Sequence, residues 1–375
     1  MTKKQKNKKS YKPDWVPENA GAGFATSIVK GVEIKNKLKN YTSTVKKRDK
    51  LIISDYVNGV INNNRSLLGR TITLIESNSS VHYELAQEVL KGLLPFSGKS
   101  IRIGITGSPG VGKSTFIESL GMHLIHNGYK VAVLAIDPSS SITKGSILGD
   151  KTRMQMLSRE EKCFIRPSPT GGTLGGVARK SRETMLVCEA AGYDVILVET
   201  VGVGQSEITV RSMVDFFLLI MVSGTGDELQ GIKKGVIELA DALVINKAEG
   251  DNKPGALRTM SEFQTALKYI AHATKGWETN AFLCSAVTGE NIEYIWKVIK
   301  EFEGITKQTG IFEERRKSQA FEWVFSIVDE QIKKNFYDCK EIQKAIKSIK
   351  EKVIKGEILP TSAASEILKH YNSQY

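Results

Sequence analysis

The sequence predicts an α/β protein whose core is a doubly wound, mostly parallel sheet. Between about residues 96 and 302, short apolar runs alternate with stretches of helical periodicity, which is the pattern of strands joined by crossover helices. A glycine-rich stretch at residues 107–114 separates the first apolar run from the first helical stretch. The flanking segments show helical periodicity alone. These three observations predict a phosphate-binding core between an N-terminal helical region and a C-terminal helical arm.

Six apolar runs have the length and composition of buried strands. A helix is predicted directly after the glycine-rich stretch, because Phe116, Leu120 and Leu124 fall on one face and Gly128 is a typical helix stop. The candidate strands are residues 101–105, 131–136, 195–198, 216–222, 242–245 and 281–284.

The helical flanks predict the domain organisation. In the C-terminal segment, Phe321, Val324, Phe325 and Val328 recur near helical spacing. Their apolar stripe needs to be buried, and a partner subunit is at least as suitable as the chain's own body. The predicted divisions are a disordered basic tail over 1–24, an N-terminal helical region over 25–95, the core domain over 96–302 and a C-terminal helical arm over 303–375.

Composition and charge narrow the function classes. The 375 residues carry a formal net charge of +12, part of it in a lysine-rich N-terminal stretch. We interpret that stretch as a solvated tail and not as a nucleic-acid arm, because no aromatic-rich binding module follows it. The longest apolar run is too short to span a membrane. The four cysteines stand far apart without a C-x-x-C pair, which argues against a zinc site or a disulfide framework and favours a cytoplasmic location.

The glycine-rich stretch fits the phosphate-binding pattern G-x-x-x-x-G-K-[ST] in its strand–loop–helix context. Its glycines allow backbone N–H groups to surround phosphate oxygens at a helix N-terminus, where the dipole favours negative charge. Lys113 is expected to reach the β- and γ-phosphates and Ser114 to offer its hydroxyl to Mg²⁺. The predicted nucleotide-binding residues of this loop are Gly107, Ser108, Pro109, Gly110, Val111, Gly112, Lys113, Ser114 and Thr115.

Acidic residues that follow the strands are candidates for the metal site, because ligands of open α/β sheets bind at the carboxyl ends of the strands. Asp137 follows the second candidate strand, Glu199 follows the third, and Asp150 lies in a loop long enough to close over the phosphates. With Ser114 they can complete an oxygen shell for Mg²⁺, directly or through water. For each acid alone, a helix cap or a surface charge is the competing interpretation. Gly202 is expected to donate a backbone N–H to the γ-phosphate.

Two segments favour guanine over adenine. Asn246, Lys247 and Glu249 nearly match the N-K-x-D motif, in which the acid accepts hydrogen bonds from guanine N1–H and N2–H₂. Adenine leaves that acid unpaired, and an unpaired polar group of this kind can be worth on the order of 10⁴-fold in selectivity. Glu249 is one methylene longer than the usual Asp, and Asp251 is a nearby substitute. Ser285 and Ala286 match the second base-binding loop, whose backbone N–H meets guanine O6.

Set side by side, these segments resemble the MeaB/ArgK family of P-loop GTPases. The resemblance covers roughly residues 65–300 and extends more weakly to the C-terminus. In combination the segments are specific, because ordinary small GTPases carry neither the switch that begins with Glu199 nor the segment 226–235. They are residues 69–76, 94–95, 107–115, 137–140, 145–154, 199–207 and 226–235.

The resemblance implies a homodimer with a C-terminal dimerisation arm that hydrolyses GTP to GDP and phosphate with Mg²⁺. It further implies a chaperone of an adenosylcobalamin-dependent methylmalonyl-CoA mutase, which gates loading of the cobalamin cofactor and protects the enzyme. Lys113, Glu199 and Lys233 are the residues assigned to catalysis, with Asp150 and Lys233 responding to the γ-phosphate. The segment 226–234 looks like a mobile switch that transmits the nucleotide state to the mutase. Val203 stands where many GTPases keep a glutamine, so slow intrinsic hydrolysis is expected.

Three other functions remain open on the sequence. One is an ATP-dependent kinase or ATPase linked to basic amino-acid transport, a label that this family has carried. Another is a nickel-type metallochaperone GTPase, against which the shortage of Cys/His clusters argues. The third is a nucleic-acid-binding NTPase, suggested only by the net charge.

Overall fold

Seven parallel strands form the centre of the protein. We describe them from a computed structural model, in which residues 51–136, 154–167, 174–200, 206–224 and 234–372 are described. The strands are β1 Ile101–Thr106, β2 Val131–Ile136, β3 Cys163–Arg166, β4 Val195–Thr200, β5 Phe216–Val222, β6 Ala242–Asn246 and β7 Asn280–Leu283. They pair in the order β3-β2-β4-β1-β5-β6-β7, so β1 occupies the middle of the sheet.

Helices cover both faces of this sheet and continue beyond it. Over the described ranges, none is both long and apolar enough to cross a membrane. The helices are α1 Ile53–Ile61, α2 Arg65–Glu76, α3 Ser80–Leu93, α4 Lys113–His126, α5 Leu174–Ala190, α6 Ser206–Arg211, α7 Lys234–Leu239, α8 Lys253–Leu267, α9 Ile292–Gln308, α10 Ile311–Asp338, α11 Lys340–Ile354 and α12 Pro360–Asn372.

The α/β architecture with a parallel sheet confirms the predicted fold class, and all six predicted strands are present. The sequence analysis missed β3, the edge strand. This strand has only four residues and follows the charged run Glu160-Glu161-Lys162, so its apolar signal is shorter than that of the interior strands. The divisions proposed for residues 25–95, 96–302 and 303–375 stay predictions.

Side chains that alternate between the two faces of each strand form two apolar cores, one on each face of the sheet. On β5, Phe217 and Leu219 pack with the cluster that contains the apolar residues of α1–α3 and α5. Phe216 and Leu218 face the opposite cluster, which contains the apolar residues of α4 and α9. Because successive side chains of a strand point to opposite faces, a strand covered by helices on both sides is apolar throughout. The N-terminal helices are therefore part of the core packing.

At the amino end of the sheet, buried ion pairs hold the first turns of α10. Asp215, which immediately precedes β5, accepts hydrogen bonds from Arg316 Nε and Nη2 at 2.8 and 2.7 Å and from the Arg102 backbone N–H at 2.8 Å. Asp241, which precedes β6, accepts from Arg211 Nη1 at 2.9 Å and lies 3.8 Å from Arg315. Both carboxylates are almost completely buried. The C-terminal arm is thus attached to the sheet by paired charges.

The apolar stripe predicted for the C-terminal segment is largely exposed. Phe321 is 65% exposed, and Val324, Phe325 and Val328 are also exposed large apolar residues on α10. A soluble monomer rarely leaves such a contiguous apolar surface uncovered. The chain's own body does not bury this stripe in the described residues.

Replacing Arg316 by Ala should destabilise the protein by about 3–5 kcal/mol, because Asp215 would remain buried without its ionic partner. The free energy of unfolding in urea measures this loss. Arg258→Ala is the matched control, since Arg258 is exposed on α8 and should change stability by less than about 0.5 kcal/mol. A loss below about 1 kcal/mol for Arg316→Ala would show that the pair does not anchor α10.

Candidate nucleotide-binding site

The loop between β1 and α4 has the backbone of a phosphate-binding loop. Gly107, Gly110 and Gly112 have positive φ angles of 149°, 85° and 93°, which L side chains rarely adopt. A Cβ on Gly107 would also overlap the carbonyl oxygen of Ile220 on β5. Backbone conformation favours glycine at all three positions, and space also requires it at the two motif positions, Gly107 and Gly112.

Lys113 begins α4, and its side chain folds back over the loop. Its Nζ donates to the carbonyl oxygens of Gly107 at 2.7 Å and Ser108 at 3.2 Å. The Lys113 side chain is buried. An ammonium group and a helix N-terminus therefore converge on one small region, which favours a phosphate group.

Ser114 and Glu199 meet although 85 residues separate them. The Ser114 hydroxyl donates to Glu199 Oε1 at 3.0 Å, and Glu199 is almost completely buried at the end of β4. Two oxygens on adjacent positions of an octahedral Mg²⁺ shell stand about 3.0 Å apart, given metal–oxygen distances of about 2.1 Å. The hydroxyl and the carboxylate thus fit the donor chemistry of Mg²⁺. In the part of the chain that the structure describes, no group of three or more His, Cys, Asp or Glu is arranged to hold a metal.

Asn246 joins the phosphate-binding loop to the second base-binding loop. Its Nδ2 donates to the Val111 carbonyl at 2.9 Å, and its Oδ1 accepts from the Ala286 backbone N–H at 3.0 Å. Lys247 adds a second link, because its Nζ donates to the Gly110 carbonyl at 2.8 Å. The residues assigned to phosphate and base therefore form one connected site.

Glu249 has the character expected of a base-recognising acid. It is half-buried, and its Oε2 is buried without a hydrogen bond from any residue that the structure describes. Asp251, the substitute considered above, is exposed on the short 3₁₀ helix Gly250–Asn252. Burial, reinforced by the charge of Glu249, raises the pKa of the neighbouring Cys284 to about 12, so that cysteine stays a neutral thiol. Of the two acids, Glu249 therefore stays the predicted base-recognising residue.

The loop after β7 shows a donor that the sequence analysis did not single out. The backbone N–H of Ser285 donates to the Glu290 carbonyl at 3.1 Å, and that of Ala286 is engaged by Asn246. The next amide, Val287, makes no hydrogen bond to a described residue, and its side chain is exposed. Only the folded loop reveals this difference between successive amides.

A cavity of about 550 Å³ is lined by α4 and the loop after β7, although Lys113, Asn246 and Glu249 are not among the described residues of its lining. Thr115 from α4 lines one side, and Ala286 and Val287 from the base loop line another. This volume lies within the range of about 300–1,000 Å³ that is usual for small-molecule sites. The structure thus brings the predicted end of the phosphate loop and the predicted base loop to one cavity.

Four of the predicted site residues lie outside the described residues: Asp137, Asp150, Gly202 and Lys233. The segment 226–233 also lies outside them. The roles assigned to these residues stay predictions.

The comparison with protein families adds independent information. The family described as methylmalonyl Co-A mutase-associated GTPase MeaB matches residues 68–341. The chain belongs to this family. The match spans the phosphate loop, the base loops and the C-terminal arm through the end of α10, which confirms the resemblance drawn from the motifs.

Several curated relatives agree with this assignment. A probable GTPase of Mycobacterium tuberculosis H37Rv is 47% identical over 308 residues, covering 82% of this chain and 92% of the relative. GTPase ArgK of Escherichia coli K12 is 41% identical over 311 residues, covering 83% and 94%. The mouse methylmalonic aciduria type A homolog, mitochondrial, is 40% identical over 348 residues, covering 90% and 84%.

A solved structure has the same fold. The crystal structure of an LAO/AO transport system kinase matches with a TM-score of 0.70 and 33% identity, covering 86% of this chain and all of that one. Together with the relatives, it establishes that this MeaB-family protein is a P-loop GTPase.

Replacing Lys113 by Ala should reduce both GTP affinity and turnover at least tenfold, because it removes the ammonium group from the phosphate loop. The change leaves two carbonyl oxygens without this donor, so stability should fall by only about 1 kcal/mol. Phosphate release measures turnover, GTP titration measures affinity, and urea unfolding measures stability. Lys91→Ala on the exposed face of α3 is the control. Wild-type hydrolysis by Lys113→Ala would mean that the site is wrongly assigned.

Proposed function

We propose that this GTPase binds GTP with Mg²⁺ and acts as a chaperone of a methylmalonyl-CoA mutase-type enzyme. In this role it gates loading of the adenosylcobalamin cofactor and protects the loaded mutase. The observation that carries the proposal is the family match over residues 68–341, whose description names association with methylmalonyl-CoA mutase. We also propose a cytoplasmic location, supported by four free cysteines. The mouse relative is named as mitochondrial.

Guanine selection is proposed for Glu249, together with Asn246, Lys247 and the loop of Ser285 and Ala286. The support is the buried Glu249 Oε2, which has no hydrogen-bond donor among the described residues. Guanine N1–H and N2–H₂ supply two such donors, whereas adenine presents an acceptor at N1. Pairing this oxygen with guanine removes a cost of about 1–3 kcal/mol for an unsatisfied buried group.

The proposed phosphate chemistry rests on positioning. Mg²⁺, held by Ser114 and Glu199 with Asp137 and Asp150 as further candidates, would neutralise charge on the phosphate oxygens. Lys113 would exchange its bonds to the loop carbonyls for bonds to phosphate oxygens as negative charge develops. For Gly202 and Lys233 we propose contacts that respond to the γ-phosphate.

A homodimer is the proposed assembly. Its support is the exposed stripe of Phe321, Val324, Phe325 and Val328 on α10, whose first turns are fixed to the sheet by buried ion pairs. A rigidly attached helix with an apolar outer face is suited to pack against a second copy. The arm residues beyond α10 continue as α11 and α12.

One alternative has a specific observation in its favour. The solved structure with 33% identity is that of a protein named as a transport system kinase, and a kinase of this kind would use ATP as its nucleotide. The preference for GTP or ATP separates the two proposals, because adenine does not offer the hydrogen-bond donors that an acid at the guanine position accepts.

Glu249→Asp should retain or tighten GTP affinity, because the backbone of the loop already presents a carboxylate to the base. Competition of GTP against ATP and xanthosine triphosphate measures it, with the exposed Asp251→Asn as control. In the wild type, GTP should be preferred over ATP by several orders of magnitude. Equal binding of the two would overturn the guanine assignment and favour the transport alternative.

Lys233→Ala should leave nucleotide affinity within a few-fold and remove most of the acceleration of GTP hydrolysis by the mutase. The reason is that the segment 226–234 is proposed to transmit the nucleotide state and not to hold the nucleotide. Hydrolysis is measured with and without a purified methylmalonyl-CoA mutase, with Gln230→Ala as a second variant. Full stimulation in both variants would place the coupling elsewhere, and no stimulation of the wild type would refute the client.

A further inference from the structure

A second cavity, of about 810 Å³, lies beside α2 and the end of β3. The two cavities have no described lining residue in common, since the smaller one is lined by α4 and the loop after β7. Its volume falls within the range of about 300–1,000 Å³ that is typical of small-molecule sites. Among the described residues, neither the phosphate loop nor the base loops contribute to its lining.

The lining of this cavity has an excess of positive charge. Among the described residues of the lining, Arg65, Arg70 and Arg166 are accompanied by a single carboxylate, Glu76. Glu76 is already paired, because Arg166 Nε donates to its Oε1 at 3.2 Å and Arg166 Nη2 contacts its Oε2. Two arginines therefore remain without a carboxylate in the lining. This charge suits an anion that carries more than one negative charge.

The arginines differ in how they are held. Arg65 is fixed by donating to the backbone carbonyls of Cys163 at 2.7 Å and Glu160 at 3.3 Å. A guanidinium has five N–H donors, so Arg65 keeps donors for a ligand while its position is set. Arg70 is exposed and makes no hydrogen bond or ion pair with a described residue. One arginine is thus preorganised, and another is available to close on a ligand.

Gly69 leaves space on the floor of this cavity. It lies in the interior of α2, where glycine is less favourable than alanine. A Cβ at this position would meet nothing within 4 Å, so packing does not require a glycine. Thr73, one turn later, places its hydroxyl in the same lining and receives a 3.4 Å contact from Arg166 Nη2. A glycine that the helix does not need lets a ligand approach the backbone closely.

We propose that this second cavity binds a small molecule through a phosphate monoester group. Arginine recognises phosphate through paired N–H donors, which match the planar guanidinium. A phosphate monoester carries a charge of about −1.5 to −2 at neutral pH, which matches two uncompensated arginines better than the single charge of a carboxylate. The site is independent of the nucleotide loop, so the protein would hold a phosphorylated ligand and GTP together.

The test is equilibrium dialysis of labelled inorganic phosphate against the full chain carrying Lys113→Ala, at constant ionic strength. That background disables the nucleotide loop, so the remaining binding reports the second cavity. We expect saturable binding of one phosphate per chain. Adding Arg70→Gln should raise Kd at least tenfold, because it removes a charge-assisted contact. Adding Arg258→Gln, which removes an exposed arginine outside the cavity, should change Kd less than twofold.

A second variant tests the cavity itself without changing charge. Gly69→Leu should also raise Kd at least tenfold by filling the floor, while leucine favours the helix and keeps the chain folded. Absence of saturable phosphate binding, or equal Kd values for the Arg70→Gln and Arg258→Gln chains, would overturn the proposal. With Lys113 intact, Arg70→Gln and Gly69→Leu should bind GTP like the wild type, and loss of GTP binding would refute the independence of the two sites.

Discussion

The nucleotide site depends on the buried side-chain amide of Asn246. It donates to the phosphate loop at Val111 and accepts from the base loop at Ala286. A side-chain amide can donate and accept at once, so one residue satisfies two backbone groups that the fold has brought together. A Cβ on Gly112 would stand 2.7 Å from the same amide nitrogen, which couples the loop's shape to this contact. The loops predicted to bind phosphate and base are therefore linked to each other directly.

The two edges of the parallel sheet have different roles: one carries the candidate ligand site, and the other attaches α10. The carboxyl edge of the sheet presents Lys113, Ser114, Glu199 and the base loops to a ligand. Its amino edge uses buried aspartates and arginines to attach α10. All carboxyl ends of parallel strands lie at one edge of the sheet and all amino ends at the other. The candidate ligand site and the attachment of α10 therefore use different residues of the same sheet.

Helix α6 runs between the two edges of the sheet in the chain, from Ser206 in the segment after β4 to Arg211, which pairs with the buried Asp241. Arg182 on α5 donates at 2.8 Å both to Ser212 and to the Gln319 carbonyl on α10. Polar contacts therefore run from the helix after β4 to the base of the arm. Such a connection is the kind of packed, hydrogen-bonded path along which a change at the nucleotide edge can reach a partner surface.

The sequence by itself determined the phosphate loop, six of the seven strands in the described residues and the Asn246–Lys247 segment. Each of these signals lies within a few consecutive residues, where spacing and composition limit the backbone directly. The edge strand β3 was not predicted, because its apolar run is only four residues long. Only the tertiary structure brought Ser114 to Glu199 and showed that the Val287 amide has no hydrogen-bond partner among the described residues. It also decided that the stripe on α10 stays exposed and that three arginines line one cavity. These features join residues far apart in the chain, and their proximity follows from strand order and helix packing, which no local pattern encodes.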